Sequence, residues 1–179
     1  MECVRKANIA DINLMSSIHA KAWKAAYKGL VPQNYLDNLA ENYWVDSFNK
    51  SFQEGLSEAF VYEINGQVTG CITFGKARIS ASCMGNLPCN KECAFCGEIY
   101  SLYVDPDHWG TKQGYLLTKA ALNELVHLGY TQTYLWVLST NQRGIDFYTR
   151  FGFTDTNESA VFTLQGMNLK EKRFIIKLI

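Results

Sequence analysis

Trp109-Gly110-Thr111-Lys112-Gln113-Gly114 is the stretch most ready to do chemistry. It follows an apolar run closed by Val104-Asp105-Pro106 and opens a long amphipathic stretch. Strand, glycine turn and helix start in that order gather free backbone N–H groups at the positive end of a helix dipole. That is a site for a phosphate-bearing ligand. No Gly-Lys-Ser/Thr follows, so it is not a Walker A loop; the three-glycine spacing of a dinucleotide fingerprint is missing too. Two such glycines also occur in ordinary turns for backbone reasons alone. Cys83, Cys89, Cys93 and Cys96 form a second cluster, in a loop with Gly85, Asn86 and Pro88. Their thiolates could hold a structural zinc ion, although the spacing is not a standard paired set. Free reduced cysteines are the other reading.

These groups need elements to position them. Residues 2–7 read as an opening strand. Between 11 and 27, Ile12, Met15, Ala22, Trp23 and Ala26 fall on one helical face. A second helix begins at Pro32 and carries Tyr35, Leu36 and Leu39, and a third sets Trp44, Phe48 and Phe52 on one side. Asn65-Gly66 between two apolar runs is a hairpin signal. After the polar connection at 78–96 come a strand at 97–104, a helix at 113–128 facing inward with Leu117, Ala120, Ala121, Leu125 and Leu128, a strand at 131–138 and a helix at 142–150. Two tail strands are expected near 153–164 and 172–178. Cys3 and Cys71, in strand-like runs, read as small buried hydrophobes.

Bulk composition narrows the function. Hydrophobic residues make up 47% of the 179 and charged residues 19%, the profile of a globular domain. Lys+Arg and Asp+Glu are 17 each, so no net field favours nucleic acid. No apolar signal core and no membrane-length segment are visible, and the expected compartment is the cytoplasm.

Taken together, these segments resemble the GNAT superfamily of acyl-CoA-dependent N-acyltransferases. The turn is similar to the family's pyrophosphate loop, Gln/Arg-x-x-Gly-x-Gly/Ala before a helix. Gly110 and Gly114 align with the first and last glycines of its Gly-x-Gly-x-Gly form, and the middle one falls at Lys112. A side chain there either crowds the pyrophosphate or places an ammonium on it. Asn141, Phe147-Tyr148 and Phe151-Gly152-Phe153 are similar to the family's Asn…Phe-Tyr-x-x-x-Gly-Phe segment. Upstream, residues 19–39 are similar to the first helices of many members. The resemblance covers nearly the whole chain and implies one α/β (mixed α+β) domain over 1–179, with a Cys-bearing loop at about 78–96. Its core would be a central, mostly antiparallel mixed sheet of about seven strands flanked by helices.

The resemblance also implies a reaction. Acetyl-CoA would be held by Leu102, Tyr103, Val104, Trp109, Gly110, Thr111, Lys112, Gln113, Gly114, Tyr115, Asn141 and Phe147. Backbone N–H groups around Tyr103 and Val104 would stabilise the oxyanion beside a strand whose neighbours splay apart. Tyr148 would protonate the coenzyme A sulfur; otherwise it is a core aromatic. Glu98 is the candidate base. It shares a period-2 face with Tyr100, Leu102 and Val104, a setting that could raise its pKa; otherwise it is an exposed strand-end carboxylate. Trp23, Tyr27 and Tyr35 would border the acceptor or simply pack the core. His19, His108 and His127 show no metal or triad pattern and read as surface or supporting residues. The expected activity is N-acetyl transfer to a primary amine of a small molecule or peptide by direct attack in a ternary complex. The alternative is a non-catalytic acyl-CoA-binding regulatory or interaction module. A homodimer is compatible with either.

Overall fold

A computed structural model describes residues 2–78 and 95–178. Alternating apolar residues build a seven-stranded sheet: β1 (Glu2–Lys6), β2 (Glu58–Ile64), β3 (Gln67–Lys76), β4 (Cys96–Val104), β5 (Gln132–Leu138), β6 (Thr154–Leu164) and β7 (Met167–Lys177). The order is β1-β2-β3-β4-β5-β7-β6. Every neighbouring pair is antiparallel except β4 and β5. The mixed, mostly antiparallel sheet expected from the sequence is therefore present.

The helices are α1 (Ile12–Ala26), α2 (Gln33–Asp37), α3 (Val45–Gln53), α4 (Gln113–His127) and α5 (Gln142–Phe151). One sheet face packs on α4, where Leu117, Ala121 and Leu125 meet Ile72, Phe74 and Ile99. The opposite face packs on α1 and α3, where Ile12, Met15, Ile18 and Phe48 meet Val61, Val68 and Cys71. Val31 and Leu36, around the start of α2, cover Leu138 and Leu169. Gly97 lets α4 approach the sheet closely, since a Cβ there would lie 2.7 Å from Leu125 Cδ2.

Two strand irregularities shape the centre. A bulge between Ser101, opposite Thr73, and Ile99, opposite Phe74, inserts Tyr100 as an extra residue in β4. The shift changes the phase of the strand. Ile99, Leu102 and Val104 face α4, whereas Tyr103 faces α1. Glu98 therefore does not share a face with Leu102 and Val104, as uninterrupted alternation implied. Second, β4 and β5 pair only at Cys96–Gln132, Gly97–Thr133 and Glu98–Tyr134, and then part.

Other departures have local causes. Cys3 is exposed, because β1 is an edge strand. Leu128 is 47% exposed, because α4 ends one residue before it. The last strand starts at Met167 rather than near 172, because Gln165-Gly166 takes φ values of 46° and 83° and closes a tight hairpin. The turn uses the same left-handed geometry as Asn65-Gly66, with a less diagnostic first residue.

Candidate active site

The glycine turn before α4 is built by local chemistry. The Asp105 side chain accepts from Asp107 N–H at 3.0 Å and caps a short 3-10 turn over Pro106–His108. Trp109 Nε1 donates to the Val104 carbonyl at 2.9 Å, and Thr111 Oγ1 donates to the His108 carbonyl at 2.7 Å. Gly110 then takes φ 84° and Lys112 φ 67°, and α4 starts at the next residue. The middle-glycine position thus keeps a glycine-like backbone with a lysine side chain, and that side chain is exposed. A Cβ on Gly114 would meet the Phe147 ring at an ordinary 3.6 Å, so the protein's own packing does not require glycine there. Gln113 is 2% exposed; its Oε1 accepts from Thr69 Oγ1 at 2.9 Å. Its Nε2 has no partner among the described residues. An orphaned buried donor beside a helix N-terminus fits an oxygen-rich ligand.

Pairing between β4 and β5 stops at Glu98 and Tyr134, so β4 presents an unpaired edge beyond that point. Asp105 N–H donates to Thr69 O at 2.8 Å, toward β3. Strand alternation then turns the N–H of Tyr103 toward β3 and those of Leu102 and Val104 toward the gap. Three phenols converge beside that edge. Tyr27 and Tyr103 hydroxyls are 3.4 Å apart. Tyr148 on α5 packs edge-on against Phe147 and Phe153, at 5.1 and 5.6 Å between ring centroids. Burial pushes the Tyr148 phenol well above its ordinary pKa, and Tyr27 adds to the shift. Behind Tyr103, His19 is 3% exposed, and burial lowers its pKa to about 3, so it is a neutral supporting ring. The turn, the β4 edge, α5 and Tyr27 enclose one cavity of about 670 Å³.

Residues 23–153 match the family model for the acetyltransferase (GNAT) family. The chain belongs to this family. As an acyl-CoA-dependent acetyltransferase it has a relative over nearly its full length. It is 25% identical over 171 residues to YuaI, an uncharacterized N-acetyltransferase of Bacillus subtilis (strain 168), covering 96% of this chain and 90% of that one. An N-acetyltransferase from Staphylococcus aureus Mu50 superposes with a TM-score of 0.73 at 21% identity, over 100% of this chain and 99% of the other. A putative acetyltransferase from Salmonella typhimurium, solved with acetyl-CoA, gives 0.72 at 22% identity, over 100% and 95%.

Within this acetyltransferase, β4 from Leu102 to Val104 and the turn from Trp109 to Tyr115 line the cavity together with Tyr27, Asn141, Phe147 and Tyr148. Asn141 also caps α5, its side chain accepting from Gly144 N–H at 3.0 Å. Trp23 and Tyr35 are not on that wall. Trp23 packs edge-on against Tyr27 at 4.6 Å and lies tilted against Tyr35 at 5.8 Å between ring centroids. Glu98 lies off the wall as well. Buried at 3% exposure, it accepts from Arg78 N–H at 2.9 Å, from Arg78 Nη2 at 2.6 Å and from Tyr134 hydroxyl at 3.2 Å. Cys83, Cys89 and Cys93 lie outside the described residues. Cys96 is buried in β4, its Sγ accepting from Gln132 Nε2 at 2.8 Å. No group of three metal-binding side chains occurs among the described residues, and none of their helices is long and apolar enough to cross a membrane.

Sequence reading missed several wall residues. Arg143 places its guanidinium 3.4 Å from the centroid of the Trp109 ring, a cation–π contact at the cavity rim. Its position was a usable signal, since a cation in the first turn of a helix opposes the dipole. Trp136 also lines the cavity; in sequence it is indistinguishable from a core residue.

Proposed function

We propose that this acetyltransferase moves the acetyl group of acetyl-CoA to a primary amine of a small molecule or peptide by direct attack in a ternary complex. The observation that carries the reading is a single cavity shared by the phosphate turn, the unpaired β4 edge and Tyr148. The pyrophosphate would sit on the N–H groups at the start of α4, with Lys112 and Arg143 adding positive charge at the rim. The pantetheine arm would run along β4, completing the sheet edge that β5 leaves open. The thioester carbonyl would then reach the gap-facing N–H groups of Leu102 and Val104, which oppose the charge developing on its oxygen. Attack of a neutral amine forms the C–N bond and breaks the C–S bond. Tyr148, kept protonated by burial, gives its proton to the departing thiolate. Glu98, with Arg78 and Tyr134 on its oxygens, fits a clamp on Arg78 better than a free base.

Release of free thiol from acetyl-CoA, measured across a panel of small and peptidyl primary amines, tests the reaction. Amine-dependent release is expected. Tight acetyl-CoA binding with no release from any amine would replace the reading with that of a non-catalytic acyl-CoA-binding module.

A further inference from the structure

Charge on the cavity wall is of one sign. The lining holds His108, Lys112, Arg143 and Arg150 and, among the described residues, no carboxylate. Lys+Arg and Asp+Glu balance at 17 each over the chain, so this concentration of basic side chains is local. Two of them belong to α5, which rests on the first turn of α4: Phe147 lies 3.6 Å from where a Cβ on Gly114 would sit. Arg143 stands four residues before Phe147 and Arg150 three after it, both spacings of one helical turn. The two arginines thus flank the contact between α5 and the start of α4.

Arg143 is held at the rim by a ring. Trp109 Nε1 donates to the Val104 carbonyl at 2.9 Å, which sets the plane of the indole, and the Arg143 guanidinium lies over that ring, 3.4 Å from its centroid. Arg150 instead turns its Nε to the Asp146 carbonyl of its own helix at 3.2 Å. Asp146, the carboxylate one turn from Arg143, accepts from Gln142 Nε2 at 2.7 Å. Arg143 has no ion pair or hydrogen bond among the described residues. The indole covers one face of the guanidinium and leaves its N–H edge to donate, in a planar fork that matches a pair of phosphate oxygens. A cation in the first turn of α5 also opposes the helix dipole, a cost that a bound anion offsets.

The cosubstrate carries two kinds of anion. In the reading above, its pyrophosphate sits on the N–H groups at the start of α4 and its pantetheine arm runs inward along β4. That leaves the adenosine and its 3′-phosphomonoester at the rim, where Arg143 stands. Resting on that placement of acetyl-CoA, and not on which amine accepts, we propose that Arg143, seated on Trp109, binds the 3′-phosphomonoester and makes the protein select acetyl-CoA over donors that lack it. A phosphomonoester carries about −1.5 to −2 charges at pH 7 and three strong acceptor oxygens, which suits a fixed guanidinium better than a diester-like phosphate does.

The experiment titrates acetyl-CoA and 3′-dephospho-acetyl-CoA by calorimetry into wild-type protein, Arg143→Ala and Arg143→Lys. Wild-type protein is expected to bind acetyl-CoA roughly 10-fold more tightly than the dephospho form, the scale of one charge-assisted contact. Arg143→Ala should erase that preference by weakening acetyl-CoA alone. Arg143→Lys keeps the charge but loses the fork, and should restore part of it. The Arg143 side chain is exposed, so the melting temperature should hold in both variants. Equal affinities for the two forms in wild-type protein, or a preference that Arg143→Ala leaves intact, overturns the assignment. Equal weakening of both forms by Arg143→Ala overturns it too and moves the guanidinium to the pyrophosphate. Wild-type protein that binds neither form overturns the placement of acetyl-CoA and this assignment with it. A preference erased by Arg143→Ala, in a protein that releases no thiol with any amine, upholds the assignment while the amine reading fails.

Discussion

The two ends of the cavity are built from different materials. At the turn end the wall is main chain: a tight turn with two left-handed residues, a helix N-terminus and an unpaired strand edge, all within residues 99–115. At the other end the wall is side chains from the end of α1, from β4 and from β5: Tyr27, Tyr103 and Trp136. The first arrangement suits a ligand fragment that never changes, because backbone N–H groups cannot be substituted away. The second suits a variable acceptor, since each side chain can change without disturbing the sheet beneath it. This difference predicts which substitutions alter cosubstrate affinity and which alter only the reaction.

The largest effect is expected where the two ends meet. Tyr148→Phe should lower kcat by at least ~10²-fold with acetyl-CoA affinity unchanged. Because burial holds the wild-type phenol above its ordinary value near 10, it stays protonated and kcat should show no loss with rising pH below about pH 10. A basic limb near pH 8 that disappears in Tyr148→Phe would contradict the acid role.

Next comes a pair of single-end substitutions, each worth about a factor of 10. Gly114→Ala adds a methyl group the protein can hold, 3.6 Å from Phe147, at a helical position that favours alanine. Thermal stability should hold or rise while acetyl-CoA binds ~10-fold more weakly, the usual result where a ligand lies against backbone. Unchanged affinity would mean the turn does not touch the pyrophosphate. Glu98→Gln removes the charge facing Arg78 and should lower kcat/KM for the amine ~10-fold, leaving acetyl-CoA affinity alone. An unchanged kcat/KM would mean that the Glu98–Arg78 pair plays no part in the reaction.

Lys112→Gly should give the smallest change, with two signs. Relief of a left-handed non-glycine residue is expected to raise the melting temperature by ~2–4 °C. Loss of the ammonium should weaken acetyl-CoA a few-fold and flatten the salt dependence of its affinity. A steep salt dependence that survives would shift the electrostatic role to Arg143.

Legibility in the sequence followed the same division. The turn, the start of α4 and the helix carrying Tyr148 are contiguous signals, and all three stand where residue order placed them. The bulge at Tyr100 carries no such signature, and it reverses the faces of everything after it in β4. Uninterrupted alternation therefore joined Glu98 to Leu102 and Val104. Trp23 and Tyr35 were expected beside the acceptor together with Tyr27, but aromatic type cannot tell a wall residue from the one behind it.

By itself, the sequence determined what depends on neighbours along the chain: hairpin turns, helix caps, the glycine turn before α4, and the apolar periodicities that assign each element a buried side. Only the tertiary structure decided where β4 and β5 part, which residues the bulge turns toward α1, and that Glu98 is already held by an arginine. These outcomes depend on strand register and on contacts between segments distant in sequence. A one-residue shift in register moves every later side chain to the other face of the sheet.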